Sequence, residues 1–370
     1  YRQQLTAWGG VTYALPFSGD ALLLNYRKDL VNPQSPYAAD FRSEYGYTLD
    51  EPTTWDQYHE IAAFFNRREV ETSGVIAPTF GAAEAQAPNA QATASLIARA
   101  ASFTKWPGDP CFFFSCDPDS PMQPNINNTG WVHALADMGD IQNYSSPAIT
   151  SFGVEQVRAA LTGGSAVLAL DWPDLGILSV EENESLVQNA VGFGLIPGGD
   201  FVWNTDAGEW VEAQGGVNYA PFIASGGWLI SVSADSAVQE AALDFAAFMA
   251  NEELSFRLAT TGGTGVNPFR SSQLDDAALW ERECFDAESA ADYIDAITAT
   301  LNHPNAVVDL RIPGAVEYMA ALDAEISRAL SGEIDAEIAL DNAAAAWDAI
   351  TERYGRDEQF EAYQASLNIE

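Results

Sequence analysis

Asp171, Trp172, Pro173 and Asp174 follow directly on the apolar run AVLAL at 166–170, which puts two carboxylates and an indole at the end of a buried strand. Groups beyond strand ends face the crevice in which open α/β sheets bind ligands. Three chemistries suit such a set. Carboxylates accept hydrogen bonds from hydroxyl groups while an aromatic face covers the apolar side of a sugar ring. The same carboxylates, with Asp20, would be counter-charges for a cation boxed by Trp172 and Trp228. A carboxylic acid and a carboxylate working as a pair would hydrolyse glycosidic bonds. The i, i+3 spacing of Asp171 and Asp174 around Pro173 favours a capped loop over a catalytic pair, and no nucleophile elbow, P-loop or metal motif accompanies it. His59, His133 and His303 are far apart, so no zinc-type spacing arises.

A second set lies in the segment 226–270, GGWLISVSADSAVQEAALDFAAFMANEELSFRLATTGGTGVNPFR. Gly226 and Gly227 before Trp228 let a backbone come close to something flat beside the indole. Trp228, Ile230 and Val232 alternate with Ser231 and Ser233, the period of a strand with one packed face. Ser236-x-x-Gln239 has the form of a capping box, and Val238, Ala242, Phe245 and Met249 recur at helical spacing behind it. A Gly-rich loop ending in Pro268 and Arg270 closes the unit.

Other elements must hold these groups in place. YALPFSGDALLLNY at 13–26 is a Pro-broken strand and a strongly apolar strand, with Ser18-Gly19-Asp20 as a polar interruption suited to a surface or cleft. Thr54 caps a helix toward Gln57 in which Trp55, Tyr58, Ile61, Ala62 and Phe65 form the packed stripe and His59 falls on the solvated side. An amphipathic helix over 152–161, ended by Gly163-Gly164, precedes the AVLAL strand. Asp117-Pro-Asp119 lacks the Gly and distal Glu of a calcium loop and is expected to be a turn. Two helices close the chain, the first with Val316, Met319, Ile326 and Leu330 inward, the second with Ile338, Leu340, Trp347 and Ile350.

Length and composition set the frame. The 370 residues suffice for two domains, and 47% hydrophobic content excludes disorder as the main state. Sixteen Lys+Arg against 53 Asp+Glu give a net charge of -37, which argues against charge-driven binding to nucleic acid or an anionic membrane. The acidic residues are scattered along helical stretches, which fits a solvated face adapted to a salty setting, a lineage bias, or a cationic substrate. No apolar run approaches the ~20 residues needed to cross a bilayer. Cys111 and Cys116 flank CFFFSC, a spacing that is not the CxxC of redox or zinc sites; a short-loop disulfide would fit an oxidising compartment, and the spacing leaves the pairing open.

Five blocks in order resemble the extracellular solute-binding proteins of ABC importers, in the maltose-binding-protein-like sugar-binding branch. YALPFSGDALLLNYRKDLV is similar to the family's YGVPY-x-x-D-x-x-x-L-x-YNKDLF block, and EPTTWDQYHEIA to its P-P-x-T-W-D-E helix start. LTGGSAVLALDWPDLG resembles F-x-x-G-x-A-A-M-x-I-x-G-x-W, and GGWLISVSADSAVQEAALDFAAFM resembles the GG-led strand and helix block. RIPGAVEYMAALDAEISRALSGEIDAEIALDNAAAAW is similar to the closing helix pair.

The resemblance implies an α/β, type II periplasmic-binding-protein-like fold of two lobes joined by a hinge, with a solute held between them. It divides the chain into a C-terminal lobe, 15–222 plus 303–370, and the remainder of an N-terminal lobe, 1–14 plus 223–302. About a hundred residues of that lobe precede the YALPF block in the family, so one lobe is expected to be incomplete and the signal peptide removed. By position, Asp20 would supply a carboxylate to ligand hydroxyls, Trp172 a stacking face with Asp174 beside it, and Gly226, Gly227 and Trp228 the opposite wall. Arg270 and Arg311 would bond the solute or hold the lobes together, and Tyr318 falls near an aromatic position of the family. Met319 stands where the maltose-binding member carries Trp, which speaks against maltose.

The expected function is then the substrate-binding component of an ABC transporter, a monomer that carries a sugar or polyol to a membrane permease without chemistry or cofactor. The expected location is periplasmic or extracellular, free or as a lipoprotein. A polyamine-like cationic or zwitterionic solute is the alternative, and a secreted carbohydrate-active enzyme the reading from another class.

Overall fold

A computed structural model of the chain describes residues 6–88, 91–223 and 227–369. Its centre is a sheet of four strands among the described residues, in the order Phe80–Ala83, Ala166–Asp171, Leu23–Arg27 and Val191–Leu195. Phe80–Ala83 and Ala166–Asp171 run parallel, and Leu23–Arg27 is antiparallel to both of its neighbours. Every residue of Ala166–Asp171 is buried, as an unbroken apolar run in a sheet covered on both faces requires. Leu23 lies opposite both Asp171 and Leu195, so Asp171, the turn after Leu195 and the segment leading from Asp20 lie at one end of the strands.

The two faces bury different cores. Leu22 and Leu24 point to one and Leu23 to the other, the period of a strand. The larger core gathers Trp55, Tyr58, Ile61 and Phe65 with Leu96, Trp131, Tyr318, Leu322 and Trp347. Thr54 accepts from the Gln57 amide at the start of helix Trp55–Phe65, as the sequence predicts. The second core joins Val157 and Leu161 to Leu175, Trp280, Tyr293 and Ile297.

That second core draws on segments from both of the expected lobes. Helix Ala287–Leu301 packs on strand Val191–Leu195 and shares its core with Val157 and Leu161. Trp280 packs in the same core, and its indole donates to the Gln273 carbonyl. Leu15–Pro16 pairs with Leu229–Ile230. The sheet and its crossing segments meet where Phe222–Ile223 runs parallel to Val307–Val308 and Leu22 donates to the Phe222 carbonyl.

Several local expectations fail for one physical reason, that pairing partners decide what a periodic sequence does. The strand at Trp228 is only Leu229–Ile230, because Leu15–Pro16 offers no longer partner. The capping box at Ser236 does not form: Val238 donates to Ser236 Oγ in a turn, and the helix begins at Gln239. Val238, Leu243, Phe245 and Phe248 are exposed, and in helix Gln239–Met249 the buried residue is Ala246. Val316 is also outward at 82% exposure, while Tyr318 and Leu322 face the core, and Ile338 is exposed. A third helix, Arg356–Leu367, follows the expected closing pair. His59 is not solvated; its Nε2 lies 3.0 Å from Asp137 of helix Thr129–Asp140. Cys111 and Cys116 are bonded.

Candidate functional site

Three chain segments interlock around Asp20. The amides of Phe17 and Ser18 both donate to the Trp228 carbonyl, at 2.8 and 3.1 Å, and the Gly19 amide donates to the Asn267 carbonyl at 3.2 Å. These approaches need glycine. A Cβ on Gly227, whose φ is +81°, would lie 1.7 Å from the Ser18 carbonyl oxygen, and one on Gly19 would lie 2.5 Å from the Pro268 oxygen.

The polar groups form a relay. The Asn267 amide donates to Ser18 Oγ at 2.8 Å, Ser18 Oγ donates to Asp20 Oδ1 at 3.0 Å, and Asn267 Nδ2 donates to the same oxygen at 2.5 Å. Burial pushes the Asp20 carboxyl up to about 6 against these hydrogen bonds, and the charges of Asp174 and Asp309 push in the same direction. Asn267 Oδ1 is buried without a hydrogen-bond partner among the described residues. The site therefore holds a carboxylate fixed by donors at one oxygen, which suits a ligand rich in O–H or N–H groups.

The Asp171–Asp174 pair is differently placed. Arg158 of helix Val154–Thr162 donates to Asp171 Oδ2 at 2.9 Å and to Asp174 Oδ1 at 2.6 Å, and the Trp172 amide donates to Asp171 Oδ1 at 2.7 Å. Burial raises both carboxyls against the pull of Arg158, with the charge of Asp174 adding to the rise at Asp171 and that of Glu155 to the rise at Asp174. Neither is a free acid or base, so the hydrolytic geometry is absent at these two residues.

Of the residues expected at a binding site, Asp20, Gly227 and Trp228 come together, with Asp174 close enough to act on Asp20 by charge. Trp228 is 66% exposed at this corner, whereas Trp172 is 9% exposed and donates from Nε1 to Gln91 Oε1 at 3.0 Å. Gly226 lies outside the described residues. Three others are elsewhere. Arg270 Nη1 donates to the Ala250 carbonyl at 2.8 Å and lines a cavity with Leu15, Pro16 and Phe269. Arg311 donates to the Ser366 carbonyl and ties the crossing segment to helix Arg356–Leu367. Tyr318 is wholly buried, with its hydroxyl 2.9 Å from Thr351 Oγ1 and its carbonyl accepting from Trp347 Nε1, so it offers no face to a solute here. Arg158 and Asn267 carry no local motif that would single them out. The signal that could have found Asn267 is its place in the Gly-rich loop just before Pro268.

This geometry can be set beside known proteins. The family model for bacterial extracellular solute-binding proteins matches residues 1–254. The chain belongs to that family. Its members bind solutes and are not enzymes. A mannitol-binding protein of Pseudomonas aeruginosa is 24% identical over 275 residues, covering 73% of this chain and 52% of that protein, so the chain spans about half the length of the curated relative. Among solved structures, maltose-bound MalE3 of T. maritima is 20% identical with a TM-score of 0.68, over 94% of this chain and 75% of that one. A solute-binding protein of Agrobacterium radiobacter K84 in complex with ribitol is 19% identical with a TM-score of 0.69, over 94% and 74%. One of Agrobacterium vitis S4 with bound D-mannitol is 20% identical with a TM-score of 0.62, over 93% and 74%. The fold of this solute-binding protein is accordingly type II periplasmic-binding-protein-like.

Proposed function

We propose that this chain captures a sugar or polyol at the Asp20 corner and delivers it to an ABC permease from the periplasmic or extracellular side. The observation that carries the reading is the largely buried Asp20 carboxylate, fixed by Ser18 and Asn267 on the turn whose Phe17 and Ser18 amides hold the carbonyl of the exposed Trp228. A carboxylate accepting from hydroxyls and an indole against C–H surface are the two halves of polyol recognition. The relatives bound to mannitol, ribitol and maltose support the same solute class. The crossing segments at Phe222–Ile223 and Val307–Val308 are the parts on which two lobes would hinge to close over the solute.

Titration of the protein with mannitol, ribitol and maltose, followed by tryptophan fluorescence and calorimetry, tests the reading. Saturable binding that weakens about tenfold or more in Asp20→Asn is expected, since a hydrogen bond to a charged group contributes about 1.5–3 kcal/mol. Absence of binding across the polyols and sugars would overturn it. The convergence of Asp174 and Asp309 on Asp20 favours a second reading, a cationic solute. Binding that collapses as salt rises supports the cation; a polyol is nearly indifferent.

A further inference from the structure

A separate cavity of about 400 Å³ lies under the hairpin of Phe201–Asn204 and Glu209–Glu212, and it shares no residue with the Asp20 corner. Three rings meet in it almost at right angles. Phe103 and His133 have centroids 4.6 Å apart at 76°, His133 and Trp210 5.4 Å apart at 77°, and Phe103 and Trp210 6.2 Å apart at 88°. Each ring comes from a different element: helix Gln91–Thr104, helix Thr129–Asp140 and the hairpin, where Trp210 also packs on Trp203 at 5.6 Å. The corner is therefore fixed by the core on two sides and roofed by the hairpin.

The same cavity is lined by Asp56 and Asp200. Asp200 is half-buried in this lining, and its Oδ1 has no hydrogen-bond partner among the described residues. Burial and then the charge of Asp56 hold the Asp200 carboxyl above the usual range, with no cation contributing. A partly desolvated carboxylate beside a second carboxylate is stabilised by a cation placed next to it. Perpendicular aromatic rings attract positive charge at their faces. A polyol would need many hydrogen-bonding groups, and this lining is mainly apolar.

We propose that this cavity is a second binding site, which takes a monovalent organic cation with an apolar body, such as an aryl- or alkylammonium. The cationic head lies toward Asp200 and Asp56, and the apolar body fills the corner of Phe103, His133 and Trp210. The volume falls within the range of small-molecule sites. The net charge of -37 raises the local concentration of every cation without choosing among them, so the choice rests on these side chains.

Titrating the full chain with benzyltrimethylammonium chloride by calorimetry in about 150 mM salt, where surface charge is screened, tests the site. Benzyl alcohol is the neutral comparison. The expected result is saturable one-to-one binding of the cation alone, weakened about tenfold or more in Asp200→Asn and in Trp210→Ala and largely kept in Trp210→Phe. Mannitol binding at the Asp20 corner stays as in the unaltered protein, which separates this test from the failure of the solute reading. Should Trp210→Ala lose its hairpin by circular dichroism, Asp200→Asn decides. No saturation by about 20 mM cation, equal binding of benzyl alcohol, or loss of the cation in Asp20→Asn but not in Asp200→Asn would each overturn the proposal.

Discussion

Asn267 donates to the Asp20 carboxylate over 2.5 Å although the two residues stand 247 positions apart in the chain. The contact ties the loop before Pro268 to the polar break after Phe17. It also means that the Asp20 carboxylate of the proposed solute site is held in place before any solute arrives, the preorganisation that makes a binding carboxylate effective.

Holding that charge costs stability. The Asp20 carboxyl is raised to about 6 from the ordinary 3.8 of an exposed aspartate, so the folded chain binds the proton more tightly than the unfolded chain between these values. By linkage, the contribution of this group to stability is greatest below about 3.8 and is lost as pH rises through about 6. Asp20→Asn is therefore expected to be more stable than the unaltered chain at pH 7.5, by up to about 2–3 kcal/mol, with the difference closing toward pH 4. Urea unfolding of both proteins at the two pH values checks this. Equal stability at pH 7.5 would show that Asp20 is not desolvated.

Arg158 has the opposite role, because Asp171 and Asp174 depend on it. Arg158→Met leaves two buried carboxylates without their cation and is expected to cost about 3–5 kcal/mol at neutral pH. The loss shrinks at pH 5, where the orphaned carboxyls take up protons. A variant as stable as the unaltered chain at both pH values would contradict the network.

Glycine at 227 is a steric requirement of the site. Gly227→Ala must move the Ser18 carbonyl or the segment that carries Trp228, and the expected cost is about 2 kcal/mol or more, together with loss of solute binding. Gly265, with φ of +67° and open space around it, is the control, and Gly265→Ala should cost only about 1 kcal/mol of backbone strain. Chemical denaturation of the two variants distinguishes clash from strain.

Large apolar residues in the segment after residue 238 should divide sharply by burial. Phe245 is 62% exposed, and Phe245→Ala is expected to change stability by less than about 0.5 kcal/mol. Trp280 is wholly buried between Phe256, Phe285 and Tyr293, and Trp280→Ala should cost about 3–5 kcal/mol. Thermal melting of both variants gives the comparison.

Much of the frame was legible because it depends on local rules. AVLAL announced a strand covered on both faces, and Thr54 with Trp55, Tyr58 and Ile61 announced a capped helix and its buried stripe. Asp20 could be singled out as a polar break between two apolar runs. What failed depended on partners far along the chain. The period of Trp228, Ile230 and Val232 promised a strand, but Leu15–Pro16 pairs with only Leu229–Ile230. The stripe of Val238, Ala242, Phe245 and Met249 promised a packed face, yet Phe245 and Val238 point outward. Trp280 and Tyr293 gave no sign that their helices would cover the sheet. Arg158 and Asn267 gave no sign of their carboxylates, since a single Arg or Asn has no spacing to betray its partner.

The central claim is that Asp20 is the carboxylate that grips a polyhydroxylated solute, and calorimetric titration with mannitol from pH 5 to pH 8 tests it most directly. Saturable binding that strengthens as pH rises through about 6, and that loses both its strength and this pH dependence in Asp20→Asn, is the predicted result. Binding that is as strong at pH 5 as at pH 8, or unchanged by Asp20→Asn, would contradict it.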